Sequence, residues 1–300
     1  MRFKKEFDFV GVSKYFYSFS IILTIVGFIS LGVFGLNYGV DFKAGSNVDI
    51  STSKALTSAE ILPILDEIGI GEDASITPGE QRTNIRFTEL LDEEHDHALK
   101  AAILKLDETA SFEINTVDTE MAKELGRNAI YAVLLSCIGI IIYVGIRFEW
   151  RFAMAAILAL LHDAFLVITI FSIFQLEVDL IFITAVLTII GYSINDTIVI
   201  FDRIRENLRF SKTKTHDDLV VVVNKSVNQM ILRSLYTALT VFIAAFFLFI
   251  FGGESIRMFS LAMVIGLIFG AYSSIFIASP FWVLLKSKQK NQKTSNPSKA

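Results

Sequence analysis

Long apolar stretches alternate with short polar ones along most of the chain. Each stretch is close to the length of roughly 20 residues that a bilayer-crossing helix needs, so the pattern predicts six membrane-spanning helices. The first, within residues 16–37, is too long for the apolar core of a signal peptide and lacks a small-x-small cleavage pattern at its end, which indicates a retained helix. The predicted spans are Phe16–Leu36, Ala129–Ile146, Phe152–Phe174, Leu180–Phe201, Ile231–Phe251 and Met258–Leu285.

Residues 38–126 interrupt the apolar pattern and predict a small α+β domain. Strand-like alternation and helical periodicity predict the order βαββαβ, which is typical of a ferredoxin-like sandwich. Thr57 and Glu60 have the spacing of a capping box at the start of its first helix. The predicted strands are 47–53, 74–77, 84–88 and 112–117, and the predicted helices are 57–68 and 92–106.

His95 and His97 lie in the second of these helices, beside the acidic residues Asp92, Glu93, Glu94 and Asp96. Metal binding is conceivable for such a cluster, but a solvated acidic helix face is the commoner explanation. No metal site is therefore predicted.

Composition excludes an ordinary soluble domain, because 53% of the residues are hydrophobic, only 19% are charged and the mean hydropathy is +0.56. The charge is also unevenly distributed. Residues 38–126 hold nineteen acidic and seven basic residues, a net charge of −12, whereas the rest of the chain carries +8, so the whole chain carries −4. The single cysteine, Cys137, excludes an internal disulfide.

The charge pattern predicts the orientation of the chain in the membrane. Basic residues concentrate in the N-terminal segment 1–15, in the loop 202–230 and in the C-terminal tail 286–300. Because basic loops remain on the inner side, both termini are expected in the cytoplasm and the 38–126 domain outside it. The sequence therefore predicts a multi-pass protein of the bacterial cytoplasmic membrane, with five of its helices in the region 127–285.

Asn195 and Asp196 are polar residues inside the fourth predicted span. An aspartate within a membrane helix costs roughly 2.5 to 3.5 kcal/mol on insertion scales, so Asp196 is a candidate functional site. A structural carboxylate paired across helices, or one hydrated near the inner surface, is the alternative. Asn195 also completes a stripe with Thr184, Thr188 and Gly191 at helical spacing, which predicts a protein or water neighbour.

Arg233, Thr237 and Thr240 share one face of the fifth predicted span. Arg233 is expected at a depth comparable to that of Asp196, so a contact between the two side chains is geometrically feasible. Snorkelling of Arg233 to the inner headgroups is the alternative.

His162 and Asp163 lie near the middle of the third predicted span, after the small residues Ala153, Ala155, Ala156 and Ala159. A histidine beside a carboxylate is able to relay protons, and an interhelical hydrogen-bonded pair without transport fits the same residues equally well. The small residues predict close helix packing, as do Gly266 and Gly270, followed by Ser273 and Ser274, on the sixth span.

Two motifs carry a resemblance to a known family. Residues 191–197, which read Gly-Tyr-Ser-Ile-Asn-Asp-Thr, and residues 201–207, which read Phe-Asp-Arg-Ile-Arg-Glu-Asn, resemble the signature of the SecF family, the small membrane subunits of the bacterial SecDF export factor in the resistance-nodulation-division superfamily. Residues 39–45 resemble the family's Gly-x-Asp-Phe-x-Gly-Gly element, with Ala44 in place of the first paired glycine. The motif positions are Gly39, Asp41, Phe42, Gly45, Gly191, Tyr192, Asp202 and Arg203.

The resemblance covers essentially the whole chain. Arg151-Phe152 with Leu161-His162-Asp163 resembles the family's third-span entry, and residues 233–240 resemble its fifth-span arginine and threonine motif. In the latter, residues 235–238 depart from the usual hydroxyl-rich run.

The resemblance implies a function and partners. Such a subunit pairs with SecD, associates with the SecYEG translocon, and uses the proton motive force to help preproteins leave on the outer side. Asp196 and Arg233 match the family's intramembrane proton-path residues. The hypothesis is that Asp196 binds and releases protons and that Arg233 tunes the pKa of Asp196. Asn195 and Thr237 would hold these two side chains in place, and the resulting helix shifts would move the external domain. Thr240, His162 and Asp163 are further candidates for the proton path.

No catalytic group of residues, cofactor, metal or nucleic-acid partner is expected. The expected energy source is the proton gradient, and membrane lipids are expected to surround the spans. Two other functions fit the residues. One is half of a proton-coupled exporter of small molecules or lipids in the same superfamily. The other is a passive assembly subunit, for which Asp196→Asn would leave function intact.

Overall fold

The computed structural model describes residues 7–71, 74–79, 82–213 and 215–295. The basic residues Arg2, Lys4, Lys5, Lys214 and Lys299, on which the predicted orientation partly rests, lie outside the described residues.

The helices are α1 (Phe9–Val33), α2 (Val40–Lys43), α3 (Ser58–Ile68), α4 (Glu93–Leu106), α5 (Thr119–Arg147), α6 (Trp150–Ile173), α7 (Leu180–Arg209), α8 (His216–Phe251), α9 (Glu254–Ser273) and α10 (Ser279–Ser295), with a π-helical turn at Ser274–Ala278. The strands are β1 (Asn37–Tyr38), β2 (Gly45–Ser51), β3 (Ala74–Pro78), β4 (Arg82–Phe87), β5 (Ser111–Val117) and β6 (Glu177–Val178).

The chain divides into two compact units. The helical unit comprises residues 1–37, 133–176 and 181–300, and the α+β unit comprises residues 38–132 and 177–180. Six helical stretches are long and apolar enough to cross a membrane, as predicted from the sequence. They are Phe9–Val33, Thr119–Arg147, Trp150–Ile173, Leu180–Arg209, His216–Phe251 and Ile256–Ser287.

Three of these helices begin well before their apolar stretches, because polar residues cap them. α5 begins at Thr119 rather than Ala129, since Asp118 Oδ1 accepts a hydrogen bond of 2.8 Å from the backbone N–H of Met121. α1 begins at Phe9 rather than Phe16, since Asp8 Oδ1 accepts a hydrogen bond of 2.8 Å from the backbone N–H of Gly11. α8 begins at His216 with a capping box between Thr215 and Asp218. Much of the predicted loop 202–230 is therefore helical.

Helix α6 is more buried than α1, α5 or α7. Small residues account for its close packing. Ala153, Ala155, Ala156 and Ala159 are buried, and a side chain at Gly27 of α1 would collide with Thr169 of α6. On α9, a Cβ added at Gly266 would lie 2.3 Å from Ile189 of α7. The predicted packing role of the small residues is confirmed, whereas large apolar side chains on α1, α5 and α8 remain exposed, as expected of lipid-facing surfaces.

The α+β unit contains a four-stranded antiparallel sheet with the order β3-β4-β2-β5. α3 and α4 bury their apolar faces on this sheet, and Val48, Ile61, Ile85 and Leu99 are fully buried in the core between them. Gly45 begins β2 with φ +125°, and a Cβ there would lie 2.2 Å from the carbonyl oxygen of Phe87. Only glycine fits this position.

Candidate functional site

Helix α7 presents three different polar faces. Ser193 and Thr197 lie on its buried face, against α6, α9 and the π-helical turn. Tyr192 and Asp196 are half-buried and are directed at α8. The third face, with Thr184, Thr188, Gly191 and Asn195, is exposed. The predicted stripe therefore exists as one face, and it has no cover within the described parts of this chain.

Asp196 is tied to α8 by a serine that the sequence did not single out as a ligand. Ser234 Oγ donates a hydrogen bond of 2.5 Å to Asp196 Oδ1. One turn earlier, the Tyr192 hydroxyl donates to the carbonyl oxygen of Thr237, also at 2.5 Å. Two hydrogen bonds thus join α7 to α8 at the signature motif, and one of them depends on the charge state of Asp196.

Arg233 is next to Ser234 but does not contact Asp196 directly. Among the described residues, no hydrogen bond and no ion pair within 4.0 Å joins the two side chains. Arg233 is exposed, as are Asn195, Thr237 and Thr240. Thr237 Oγ1 donates to the carbonyl oxygens of Arg233 and Ser234 on its own helix, so it supports the backbone beside the site.

A second polar cluster, which we call the Asp163 cluster, lies inside the helical unit and consists of Ser20, His162, Asp163, Ser193, Tyr272 and Ser273. The Asp163 side chain is only 1% exposed. Its Oδ2 accepts hydrogen bonds of 2.6 Å from both Ser193 Oγ and Ser273 Oγ. Its Oδ1 lies 2.9 Å from His162 Nδ1. Hydroxyl and imidazole donors thus replace the water that a buried carboxylate loses.

The Asp163 cluster extends to α1 through an aromatic hydroxyl. The Tyr272 hydroxyl lies 3.1 Å from His162 Nε2 and 2.9 Å from Ser20 Oγ. Both ring nitrogens of His162 are therefore engaged, and a continuous series of hydrogen bonds links α1 to Asp163. Such a series is able to carry a proton by exchange of donor and acceptor roles.

The π-helical turn follows directly after Ser273. Thr197 Oγ1 and Ser274 Oγ are 2.8 Å apart, and Ser279 Oγ donates to the carbonyl oxygen of Ser274 at 2.9 Å. A π-helical turn leaves carbonyl groups without their usual partner, and Ser279 satisfies one of them. Such turns occur frequently at functional sites, and this one borders the Asp163 cluster.

Sequence reasoning identified the carboxylates but missed most of their ligands. Ser193 lies within the signature motif and Ser234 beside Arg233, so neighbourhood in sequence was a usable signal for both. Ser273 was assigned to helix packing, and Tyr272 and Ser20 gave no signal, because contacts between distant helices have no local pattern.

The motif residues at the far end of α7 form ion pairs. Asp202 lies 3.0 Å from Arg147 and 3.3 Å from Arg205. Arg203 pairs with Glu206 at 2.5 Å and donates to Gln229 of α8 at 2.6 Å. These contacts join the ends of α5 and α7 to each other and α7 to the interior of α8.

The glycine-containing element lies in the α+β unit. Asp41 Oδ2 accepts a hydrogen bond of 3.0 Å from the backbone N–H of Leu180, where α7 begins. The Phe42 ring packs edge-on against Tyr38, with centroids 6.1 Å apart. Burial raises the pKa of Glu177, and the nearby Arg86 guanidinium, which forms an ion pair with it, opposes that shift.

The two histidines of α4 do not form a ligand cluster. Among the described residues, no group of three or more His, Cys, Asp or Glu side chains is placed to hold a metal ion. Asp92 instead accepts from the backbone N–H of His95 at 2.8 Å, and this hydrogen bond holds the pKa of Asp92 below its usual value.

Comparison with known families gives two matches. The model for the C-terminal region of the protein export membrane proteins SecD and SecF matches residues 98–288. The model for the SecD/SecF GG motif matches residues 29–55, which include the glycine-containing element.

Individual relatives agree with these matches. The chain is 45% identical to the protein translocase subunit SecF of Alicyclobacillus acidocaldarius, over 97% of this chain and 96% of that protein. It is 44% identical to the subunit SecDF of Bacillus subtilis, over 95% of this chain and 39% of the longer protein. The crystal structure of SecDF from Thermus thermophilus, described as a translocon-associated membrane protein, superposes with a TM-score of 0.85 at 33% identity, over 94% of this chain and 39% of that one.

Proposed function

We propose that this chain, which belongs to the SecD/SecF family of protein-export membrane proteins, moves protons past Asp196 and converts their passage into helix movement. The family membership makes it a multi-pass membrane protein and a translocase subunit with an accessory role in Sec-dependent protein translocation. The observation that carries the proposal is the hydrogen bond from Ser234 to Asp196, since it joins α7 to α8 through a group that can be protonated.

Protonation of Asp196 changes the strength of this link. A hydroxyl bound to a carboxylate forms a charge-assisted hydrogen bond, which is roughly twice as strong as a neutral one. When Asp196 takes up a proton, the bond with Ser234 becomes neutral and α7 is held less tightly to α8. The hydrogen bond from Tyr192 to Thr237 remains and acts as a pivot one turn away.

The proton gradient supplies enough energy for such a movement. A charge that crosses the membrane contributes about 2.3 kcal/mol per 100 mV. That amount shifts a two-state equilibrium by about 40-fold, given that 1.4 kcal/mol corresponds to a factor of ten. Arg233 acts as the permanent positive charge beside the pathway, with Asn195 and Thr240 as its polar lining.

The Asp163 cluster provides the second protonatable group in this proposal. His162 accepts or donates a proton between Tyr272 and Asp163, while the serines keep Asp163 in place. Ser193 and Asp196 are three residues apart on α7, so a rearrangement at either carboxylate bears on the same helical turn.

The exposed polar stripe of α7 supports a membrane partner. Threonine and asparagine side chains of this stripe, like the exposed Arg233 of α8, are costly where they face acyl chains, so a second helical subunit covers them in the assembled complex. SecD is the partner that the family membership favours, with the SecYEG translocon, preproteins and membrane lipids as further contacts. The alternative of a small-molecule or lipid exporter gains no support from the relatives described above, which are translocase proteins.

The remaining assignments follow from the same proposal. Both termini lie in the cytoplasm of a bacterial cell and the α+β unit lies on the outer side, as the basic segments favour. The strand order of its sheet and the presence of α3 and α4 on it support the ferredoxin-like class. The proton gradient is the energy source, without a cofactor.

The test compares Asp196→Asn with Asp217→Asn in cells that lack their own copy of the chain. Asp196→Asn keeps the size and a hydrogen-bonding oxygen but cannot titrate. Asp217 is an exposed carboxylate in the first turn of α8, so its replacement controls for the loss of one charge. Export of a secreted reporter is measured with and without an imposed proton gradient, at matched membrane levels.

We expect Asp196→Asn to lose the gradient-dependent part of export and Asp217→Asn to keep it. Ser234→Ala should reduce the gradient-dependent part of export only partially, because Asp196 still titrates but no longer binds α8 through Ser234. Gradient-dependent export at the wild-type level in Asp196→Asn would refute the proton pathway and leave the polar residues with a role in assembly.

A further inference from the structure

The start of α7 is held by a segment that lies far away in sequence. We call residues Gly39–Gly45 the clamp segment. Asp41 Oδ2 accepts from the backbone N–H of Leu180 at 3.0 Å, although 139 residues separate the two. Two residues before α7, the carbonyl oxygen of Val178 accepts from the backbone N–H of Gly39 at 2.9 Å. Both ends of this contact belong to the α+β unit.

Asp41 has the properties of a helix cap supplied from outside the helix. The first backbone N–H groups of a helix have no partner within it, and the helix dipole places partial positive charge there. A carboxylate both accepts the hydrogen bond and complements that charge. Leu180 is the first residue of α7, so Asp41 satisfies one of the four backbone N–H groups that have no partner within the helix.

Two further contacts fix the residues that lead into α7. A side chain at Gly39 would bring its Cβ within 2.7 Å of Glu177 Oε1, so the absence of a side chain permits the close approach. Glu177 in turn pairs with Arg86 of β4, which places the β6 strand against the sheet of the α+β unit. The entry to α7 is thereby fastened to this unit by backbone, carboxylate and guanidinium groups.

We propose that Asp41 is a positioning residue that couples α7 to the α+β unit, so that displacement of α7 at Asp196 is delivered to the domain. This inference rests on the proposed function. α7 is continuous from Leu180 to Arg209, and Asp196 lies sixteen residues from its start, about 24 Å along the axis at 1.5 Å per residue. A continuous helix transmits an axial shift with little loss, provided that its end is held.

The test removes the hydrogen bond from each side. Asp41→Ala removes the acceptor, and Asp41→Asn keeps an acceptor oxygen without the charge. Leu180→Pro removes the donor, and proline is well tolerated at the first position of a helix, where its fixed φ suits the backbone. Asp92→Ala is the matched control, because it removes the cap of α4 in the same unit without contact to α7.

Each variant is assayed in the complete complex for export with and without a proton gradient. Asp41→Ala and Leu180→Pro should each reduce the gradient-dependent part by about two- to thirty-fold, the range that loss of an N-cap produces. Their combination should reduce it no further than either alone, since both remove the same bond. Asp41→Asn should recover part of the loss, and Asp92→Ala should leave the gradient-dependent part unchanged.

A second measurement detects coupling rather than stability. Spin labels are placed at Glu67 of α3 and at Phe210, directly after α7, both exposed, in a Cys137→Ser background. When Asp41 is intact, Asp196→Asn should change the distance between the labels. In the presence of Asp41→Ala the change should be lost, because the helix shift no longer reaches the unit.

The outcomes separate this inference from the proposed function. If Leu180→Pro and Asp41→Ala both keep wild-type gradient dependence, Asp41 has no coupling role, whatever Asp196→Asn does. If they lose it while Asp196→Asn keeps it, the coupling role stands and the proton pathway through Asp196 fails. An equal loss in Asp92→Ala would also overturn the inference, since general destabilisation of the unit would then explain the result.

Discussion

Single hydroxyl groups determine how this chain keeps charged residues inside an apolar helical unit. Asp163 is surrounded by Ser193, Ser273 and His162, each within hydrogen-bonding distance. Asp196 depends on Ser234 alone among the described residues. The better satisfied carboxylate is suited to holding helices together, whereas the one with a single partner and partial exposure is suited to exchanging protons.

Replacement of Asp163 should therefore cost stability. Asp163→Ala removes the carboxylate partner of Ser193 and His162 and leaves Ser273 with only the carbonyl oxygen of Gly270, so we expect the free energy of unfolding to fall by about 3 kcal/mol. Asp163→Asn, which retains one acceptor oxygen, should lose less. Thermal unfolding of the purified chain in detergent measures both, and equal stability of Asp163→Ala and wild type would contradict this account.

The clamp segment contains a strained residue whose replacement should stabilise the fold. Ala44 has φ +64°, a left-handed conformation that costs a residue with a Cβ roughly 1 to 2 kcal/mol. Ala44→Gly should raise the free energy of unfolding by up to about 1 kcal/mol, after the greater freedom of glycine in the unfolded chain is subtracted.

The neighbouring Gly45→Ala provides the opposite control in the same unfolding experiment. It combines a positive φ with a Cβ placed 2.2 Å from the Phe87 carbonyl oxygen, so we expect a loss of about 2 kcal/mol or more. A gain in Gly45→Ala, or a loss in Ala44→Gly, would show that the two positions do not differ as the backbone indicates.

At the scale of elements, periodicity predicted where polar residues lie on a helix but not what they meet. The spacing of Thr184, Thr188, Gly191 and Asn195 placed them on one face, and the structure has that face exposed. The serines that bind Asp163 and Asp196 come from α7, α8 and α9, and no local pattern states which helices are neighbours. Helix ends also shifted where capping residues extended a helix beyond its apolar stretch, as Asp8 and Thr215 do.

A carboxylate at the end of α4 makes the α+β unit sensitive to acid. Asp107 accepts hydrogen bonds from the hydroxyl and backbone N–H groups of Ser53 and Thr109, which hold the pKa of Asp107 well below its usual value of 3.8. A lowered pKa in the folded state stabilises the fold above the unfolded value, and this contribution is lost as the pH falls through 3.8 toward the folded value.

Asp107→Asn should therefore be less stable than wild type at pH 7, and the difference should shrink as the pH falls below 3.8. Hydrogen exchange of β2 and β5, corrected for intrinsic rates, measures the difference between pH 7 and pH 2.5. A difference that stays constant over this range would mean that the charge of Asp107 contributes nothing to the fold.

At the scale of the whole molecule, the polar stripe of α7 and the lipid-facing surface of α5 are opposite kinds of exposed surface. Leu135 of α5 is exposed and apolar, as expected for contact with acyl chains. Thr188 of α7 is exposed and polar, and its hydroxyl donates to the carbonyl oxygen of Thr184. A single sequence shows that such a stripe needs a neighbour, but the pattern does not say which protein that neighbour is.

A photo-crosslinking residue at Thr188 should capture the second membrane subunit of the complex, whereas the same residue at Leu135 should not. Crosslinks are detected as a heavier band in membranes from cells that contain both subunits, and mass spectrometry identifies the captured protein. Capture from Leu135 but not from Thr188 would place the subunit interface at α5 and would contradict an interface at the polar stripe of α7.

The exposed stripe also has a consequence for the life of the protein in the cell. A newly inserted copy on which no other subunit covers the stripe presents Thr188 and Asn195 to lipid. Membrane quality control recognises misplaced polar groups, so an orphan copy should be short-lived and the paired copy long-lived. The abundance of this chain would then follow that of the subunit that covers the stripe.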